Sequence, residues 1–260
     1  VLYAEPSYRM ETHDYGWNDP LGPDLWGLGP GPGGSYTCEA WGDSAAGVTV
    51  AVIDTGTETF HVDLLANIWV NPGEIADNAI DDDGNGYVDD IHGWNVWDGF
   101  CSQFQGVSCV EWSGGSDVNP CGDDHGTHVA GTIGAVANNS LGGVGVAPFC
   151  KLMVIRCNGA GTCGSPPVSD PCCGLSNTIR GLEYAVVNGA KVSNNSYGSK
   201  CPPDDPGTPQ NEHFDCIAQG GFFWQSQYDM ILAAQAAGHI VVASAGNCLL
   251  YTSPSPRDSI

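Results

Sequence analysis

Three stretches of the chain carry nearly unbroken aliphatic residues and end in polar ones. Val48-Thr49-Val50-Ala51-Val52-Ile53 runs into Asp54-Thr55-Gly56. Lys151-Leu152-Met153-Val154-Ile155-Arg156 stands alone, and Ile240-Val241-Val242-Ala243 runs into Ser244-Ala245-Gly246-Asn247. Runs that are apolar at both alternating sets of positions predict strands of a parallel sheet covered on both faces. A further strand is predicted over 190–198. Between these lie helical patterns: a small, apolar run after His125, a helix over 176–188, and one over 226–237 closed by Gly238 as its C′ residue. A short helix is expected over 41–47, and an edge strand ended by Pro6 over 1–8. The alternation of strand and helix predicts a doubly wound α/β fold with a mostly parallel sheet and helices on both faces.

The stretch that gives this frame a chemistry is Asp123-Asp124-His125-Gly126-Thr127-His128-Val129-Ala130-Gly131-Thr132. It places a histidine in the first turn of a largely buried helix. A fixed backbone and partly dry surroundings let an imidazole act as a general base near neutral pH. Asp54 and Asn247 each end a predicted strand, and the carboxyl ends of strands are where sites form in open α/β sheets.

Together the Asp54, His125 and Asn247 segments, in that order, resemble the Asp, His and oxyanion-hole blocks of the subtilisin-like serine peptidases (subtilases). The resemblance implies a subtilisin-like fold, a polypeptide substrate and hydrolysis through an acyl-serine. By motif, Asp54 would orient His125, His125 would take the nucleophile's proton, and Asn247 would donate to the oxyanion. One departure stands out: the family's Gly-Thr-Ser-Met-Ala nucleophile block is missing from the 260 residues. The segment Ala190-Lys191-Val192-Ser193-Asn194-Asn195-Ser196-Tyr197-Gly198 resembles the family strand that pairs with an extended substrate, a form of β-augmentation. With Gly161, the residues Ser196, Tyr197 and Gly198 are the expected substrate contacts. The Cys-rich insertion over 163–173 departs from the family pattern, and the S1 pocket is only half represented.

Charge and cysteine usage narrow the setting. Seven Lys plus Arg against 30 Asp plus Glu give a formal charge of -23, which excludes a nucleic-acid binder. The same balance fits a secreted protein whose carboxylates are offset by bound cations, or a surface adapted to high salt. Twelve cysteines, clustered in Gly/Pro/Ser-rich loops, predict disulfides and an oxidising compartment. No pair of Cys-x2-Cys knuckles supports a zinc ribbon. Nothing in the sequence reaches the ~18 apolar residues that a membrane helix needs.

Two calcium loops are expected. The first follows from the resemblance: Asp19, Asp63, Asn139 and the carbonyls of Ala137, Leu141 and Gly143 would form one site of hard oxygen ligands. The alternative use of that loop is an N-glycosylation sequon at Asn138. The second rests on spacing. Asp81-Asp82-Asp83-Gly84-Asn85-Gly86-Tyr87-Val88-Asp89-Asp90 puts Asp81, Asp83, Asn85 and Asp89 at positions 1, 3, 5 and 9 of an EF-hand-like loop, with Gly86 at 6. Position 12 is His92 rather than a bidentate Glu, so a looser calcium loop is expected, with a solvated acidic turn as the alternative. Residues 99–121 read as a Cys-, Ser- and Gly-rich surface loop.

The ends read differently from the middle. Residues 1–16 resemble the tail of an inhibitory propeptide, 17–247 an incomplete peptidase domain, and 248–260 a translated transposase sequencing adapter rather than native sequence. The expectation is thus a secreted, monomeric, calcium-dependent serine endopeptidase whose partners are its polypeptide substrate and its own propeptide, with these 260 residues lacking the nucleophile. Two other classes are weighed beside it. One is a non-catalytic, calcium-binding secreted module on a degenerate peptidase fold, and the other a metalloenzyme using His125 and His128. The second lacks the Glu of His-Glu-x-x-His.

Overall fold

The computed structural model describes residues 18–29, 34–41, 46–97, 101–105, 108–112, 114–120, 122–157, 175–197 and 225–244. Its frame is a five-stranded sheet built from β1 (Thr49–Asp54), β2 (Gly93–Asn95), β5 (Lys151–Arg156), β6 (Val192–Asn195) and β7 (Ile240–Ala243). The spatial order is β2-β5-β1-β6-β7, and every pairing is parallel. β1 therefore lies at the centre, as its aliphatic run requires.

The period-two alternation of β1 and β5 divides the core into two layers. Val50, Val52, Leu152 and Val154 face one side and pack with Ala130 of α2 (His125–Gly134). Ala51, Ile53, Met153 and Ile155 face the other and pack with Leu182, Tyr184 and Ala185 of α3 (Leu175–Val187) and Ala234 of α4 (Gln225–Ala236). Burying aliphatic side chains of this size contributes about 1.5–3 kcal/mol each. Helices on both faces of a parallel sheet make this the doubly wound α/β architecture that the sequence predicts. Gly238 adopts φ +78 directly after α4, as a C′ residue does. No helix among the described residues is long and apolar enough to cross a membrane.

Three expectations change. Residues 101–112 form an antiparallel hairpin, β3 (Cys101–Gln105) with β4 (Ser108–Trp112), where a loop was expected. Composition pointed to a loop, but the alternation in Ser108-Cys109-Val110-Glu111-Trp112 suits a strand. The helix ahead of β1 is α1 (Thr37–Ala40), which starts before the expected 41–47; residues 42–45 lie outside the described set. Among the described residues β7 is the outermost strand, with Ile240 and Val242 exposed, rather than a strand covered on both faces. An aliphatic run reports apolarity and not which neighbours lie beside it. The expected strand over 1–8 is outside the described residues.

Candidate active site

Asp54 closes β1 and continues the Val50–Val52 face, so its carboxylate enters the side of the sheet covered by α2. It is 3% exposed. Its Oδ1 accepts the amide of Thr55 at 2.7 Å and Nδ1–H of His125 at 2.7 Å. Because the carboxylate can only accept, the proton of this pair sits on Nδ1. Nε2 is left as the basic nitrogen of the neutral ring, on a side chain 49% exposed. The hydrogen bond to Asp54 raises the His125 pKa from its ordinary value; partial burial lowers it, and the charges of Asp54, Asp123 and Asp124 raise it further. The other carboxylate oxygen, Asp54 Oδ2, is buried with no partner among the described residues.

The first turn of α2 is seated on the turn after β1. Thr55 Oγ1 accepts the amide of Gly126 at 2.9 Å and donates to the carbonyl of Asp123 at 3.2 Å. Asp123 Oδ1 accepts the amide of His125 at 2.9 Å, relieving one of the unpaired donors of the helix start. Thr127 Oγ1 accepts the amide of Glu58 at 3.0 Å. These bonds fix the distance between two residues 71 positions apart in sequence. Thr55 was not singled out from sequence, and its hydroxyl has no signature beyond its place after Asp54.

The expected substrate residues Ser196 and Tyr197 follow β6 at the carboxyl edge of the sheet. Ser196 Oγ lies 2.8 Å from Asn194 Nδ2, and the Tyr197 hydroxyl donates to Asn195 Oδ1 at 2.7 Å. Burial drives the Tyr197 hydroxyl well above the usual phenol range. Gly161, Gly198 and Asn247 lie outside the described residues.

The first expected calcium set is gathered at one loop. Asp19 is buried, and its carboxylate accepts the amides of Asn138 (2.7 Å), Asn139 (2.9 Å) and Ser140 (3.1 Å). Asp63 Oδ1 accepts Asn139 Nδ2 at 2.7 Å, and its Oδ2 accepts the amide of Gly143 at 3.3 Å. Leu141 donates its amide to Asn139 Oδ1, and Ala137 opens the loop after α2. Asn138 and Ser140 have φ of +60 and +64, which aims successive amides at Asp19. Asn138, the alternative glycosylation position, is exposed.

The acidic loop over 71–90 is arranged differently from the EF-hand-like spacing. Asp81 accepts the amides of Gly84, Asn85 and Gly86, and Asp89 those of Asn78 and Ala79. Both act as caps of their own turns. The carboxylate oxygens that approach one another, within 4.8 Å, belong to Glu74, Asp83 and Asp90. Asn85 Nδ2 donates to Asp83 and Asp90, and Asn71 Nδ2 does the same. Asp83 and Asn85 are therefore at this cluster, whereas Glu74 and Asp90 join it without having been singled out. No spacing rule links Glu74 to Asp83; the turn over 75–82 brings them together. Asp90 is fully buried, its carboxyl raised by burial against the lowering effect of bonds from Tyr184, Asn71 and Asn85. Among the described residues this is the one group of three His, Cys, Asp or Glu side chains whose ligand atoms come together, and His125 and His128 are not in it. Cys157 is disulfide-bonded and Cys150 is a buried free thiol.

This geometry can be set beside known proteins. A family model described as the Subtilase family matches residues 45–258. The Subtilisin-like protease 1 of Plasmodium berghei (strain Anka) is 32% identical over 154 residues, which cover 57% of this chain and 21% of that protein. An extracellular protease of Xanthomonas campestris pv. campestris is 31% identical over 234 residues, 88% of this chain and 34% of that one. The crystal structure of fervidolysin from Fervidobacterium pennivorans, a keratinolytic enzyme related to subtilisin, superposes with a TM-score of 0.52 at 21% identity. That match covers 92% of this chain and 26% of the other, and is a likeness in fold alone. The chain spans about a fifth to a third of the length of these relatives.

Proposed function

Because this chain belongs to the subtilase family, we propose that the protein it represents is a secreted, calcium-dependent serine endopeptidase acting on extended polypeptides. The observation that carries the reading is the 2.7 Å bond from His125 Nδ1 to a buried Asp54, on an imidazole side chain that is 49% exposed. In the mechanism so implied, Nε2 takes the proton of a serine hydroxyl as its oxygen attacks the scissile carbonyl. Asp54 stabilises the imidazolium, which then gives its proton to the leaving amine. Water repeats the sequence on the acyl-serine. Asn247 would donate to the oxyanion. Ser196, Tyr197 and Gly198, with Gly161, would hold the substrate through main-chain bonds.

The 260 residues hold no Gly-Thr-Ser-Met-Ala block. On this reading they contain two members of a triad and hydrolyse no peptide by themselves, the nucleophile being supplied by further sequence. Residues 1–16 would be the tail of an inhibitory propeptide and 248–260 a non-native tail. Secretion is supported by the cysteine content and by the extracellular relative.

Calcium fits the donor sets chemically, since Ca²⁺ takes hard oxygen ligands. Asp19, Asp63 and Asn139, with the carbonyls of Ala137, Leu141 and Gly143, would hold one ion. Glu74, Asp83 and Asp90 with Asn85 would hold another. Bound there it supplies charge neutralisation to acidic loops and takes no part in the proton transfers.

The test compares the 260-residue chain with a longer protein expressed from the same locus. The longer protein should label with a fluorophosphonate and cleave a chromogenic peptide, both lost in His125→Ala, and the short chain should do neither. Serine labelling of the short chain, or a longer protein that carries the Ser block yet stays inert, would overturn the reading.

A further inference from the structure

Arg156 closes β5 at the position paired with Asp54, the residue that closes β1. Val154 and Val52, two residues earlier in each strand, belong to the core layer beneath α2. By alternation Arg156 enters the same side of the sheet as the Asp54–His125 pair. It is 4% exposed. A guanidinium in such a place must be met by acceptors and by charge. Its Nη1 donates to the carbonyl of Asn119 at 3.1 Å, and its carbon lies 5.9 Å from the centre of the Trp97 ring. Burial lowers its pKa, and the Asp117 carboxylate works against that.

The segment gripped by Arg156 is a wall of the site. Val118 is buried in the α2 layer, and its carbonyl accepts the amide of Thr57 at 3.1 Å. Asn119 Oδ1 accepts both the amide and the hydroxyl of Thr59, each at 3.2 Å. Gly56, with φ +97, lies so close to this backbone that a Cβ there would fall 2.6 Å from the Val118 oxygen. The carbonyl of Gly56 in turn abuts Gly126, the residue after His125. A continuous path of contacts thus runs from the guanidinium through Asn119 and Gly56 to the first turn of α2.

We propose that Arg156 is a positioning residue for the Asp54–His125 pair, holding the 117–119 segment against the turn that seats His125. A planar, weakly hydrated fork of donors suits this buried place better than an ammonium does. The role rests on the peptidase reading only insofar as Asp54 and His125 act as a pair. Its readout is their hydrogen bond rather than turnover, so the failure of either claim is seen separately.

The measurement is proton NMR of the 260-residue chain, following the low-field signal of His125 Nδ1–H bonded to Asp54. Arg156→Met should lose that signal to exchange with water and move the His125 titration down towards the ordinary 6.5. Arg156→Lys, which keeps the charge and one donor, should recover part of the signal. A folded Arg156→Met chain with an unchanged signal and titration overturns the assignment. If Arg156→Met does not fold, Asn119→Ala instead releases the same 117–119 segment from Thr59, in the turn after β1, and leaves the carbonyl that Arg156 grips in place. Loss of the low-field signal there supports the role, and its retention overturns it.

Discussion

The carbonyl of Gly56 occupies the space that a side chain on Gly126 would need: a Cβ built at 126 falls 2.2 Å from that oxygen. Two segments 70 residues apart meet backbone to backbone, and His125 is the neighbour of the contact. Gly126→Ala should therefore force α2 away from β1. Overpacking of this kind costs about 1–3 kcal/mol, and each kcal/mol lowers Tm by about 2–4 °C in a domain of this size. Gly131, one turn further along α2, has nothing within 4 Å of a built Cβ. Gly131→Ala should stabilise by about 0.5–1 kcal/mol through helix propensity alone. Thermal unfolding followed by circular dichroism should show opposite signs, and equal shifts would refute this account of the contact.

Asp54→Asn tests the electrostatics of the pair. The His125 pKa is raised, first by its bond to Asp54. A group raised on folding stabilises the native state below its unfolded pKa, ~6.5, and that contribution fades as pH rises through the folded value. The substitution should lower the titration midpoint of His125 and flatten this pH dependence of stability. In a longer, active form it should lower kcat by about 10⁴ and shift the acid limb of the rate profile downward. A midpoint that stays put by NMR would show that Asp54 does not set it.

Tyr184→Phe isolates a buried polar link between α3 and the acidic loop. The Tyr184 hydroxyl donates to Asp90 Oδ2 at 2.5 Å, on a carboxyl with no exposed surface. Removing one donor from such a group costs about 1–3 kcal/mol. The Tyr184 bond lowers the Asp90 pKa against the raising effect of burial, so it favours the charged carboxylate, and the loss should be larger at neutral pH than near pH 3. Urea unfolding at both pH values in the presence of chelator measures the difference. An equal loss at both would place the effect in packing instead.

Calcium should raise the melting temperature by mass action on the folded state, by an amount equivalent to about 2.7 kcal/mol at one hundred times its Kd. Glu74→Gln and Asp83→Asn should each weaken this calcium-dependent gain. Asp81→Asn should instead lower stability with or without the ion, because Asp81 caps the amides of Gly84, Asn85 and Gly86. A melt that is the same in chelator and in added calcium would remove both calcium sites from the proposal.

The sequence by itself determined the elements whose cause is local. β1 and β5 follow from aliphatic runs, α3 and α4 from helical periods, and the end of α4 from Gly238; the places of Asp54 at a strand end and His125 at a helix start follow from the same patterns. Tertiary structure decided which polar groups meet. It turned Asp81 and Asp89 to backbone amides, drew Glu74 and Asp90 to Asp83, left β7 outermost among the described strands, and set Arg156 against Asn119 beside the Asp54–His125 pair. Apolar burial is roughly additive along a chain and so leaves a period that can be read. A hydrogen bond requires a donor and an acceptor within about 3 Å. Whether distant residues satisfy that is fixed by the turns between them, such as those with positive φ at Asp77, Ala79 and Asp89, and not by their spacing in sequence.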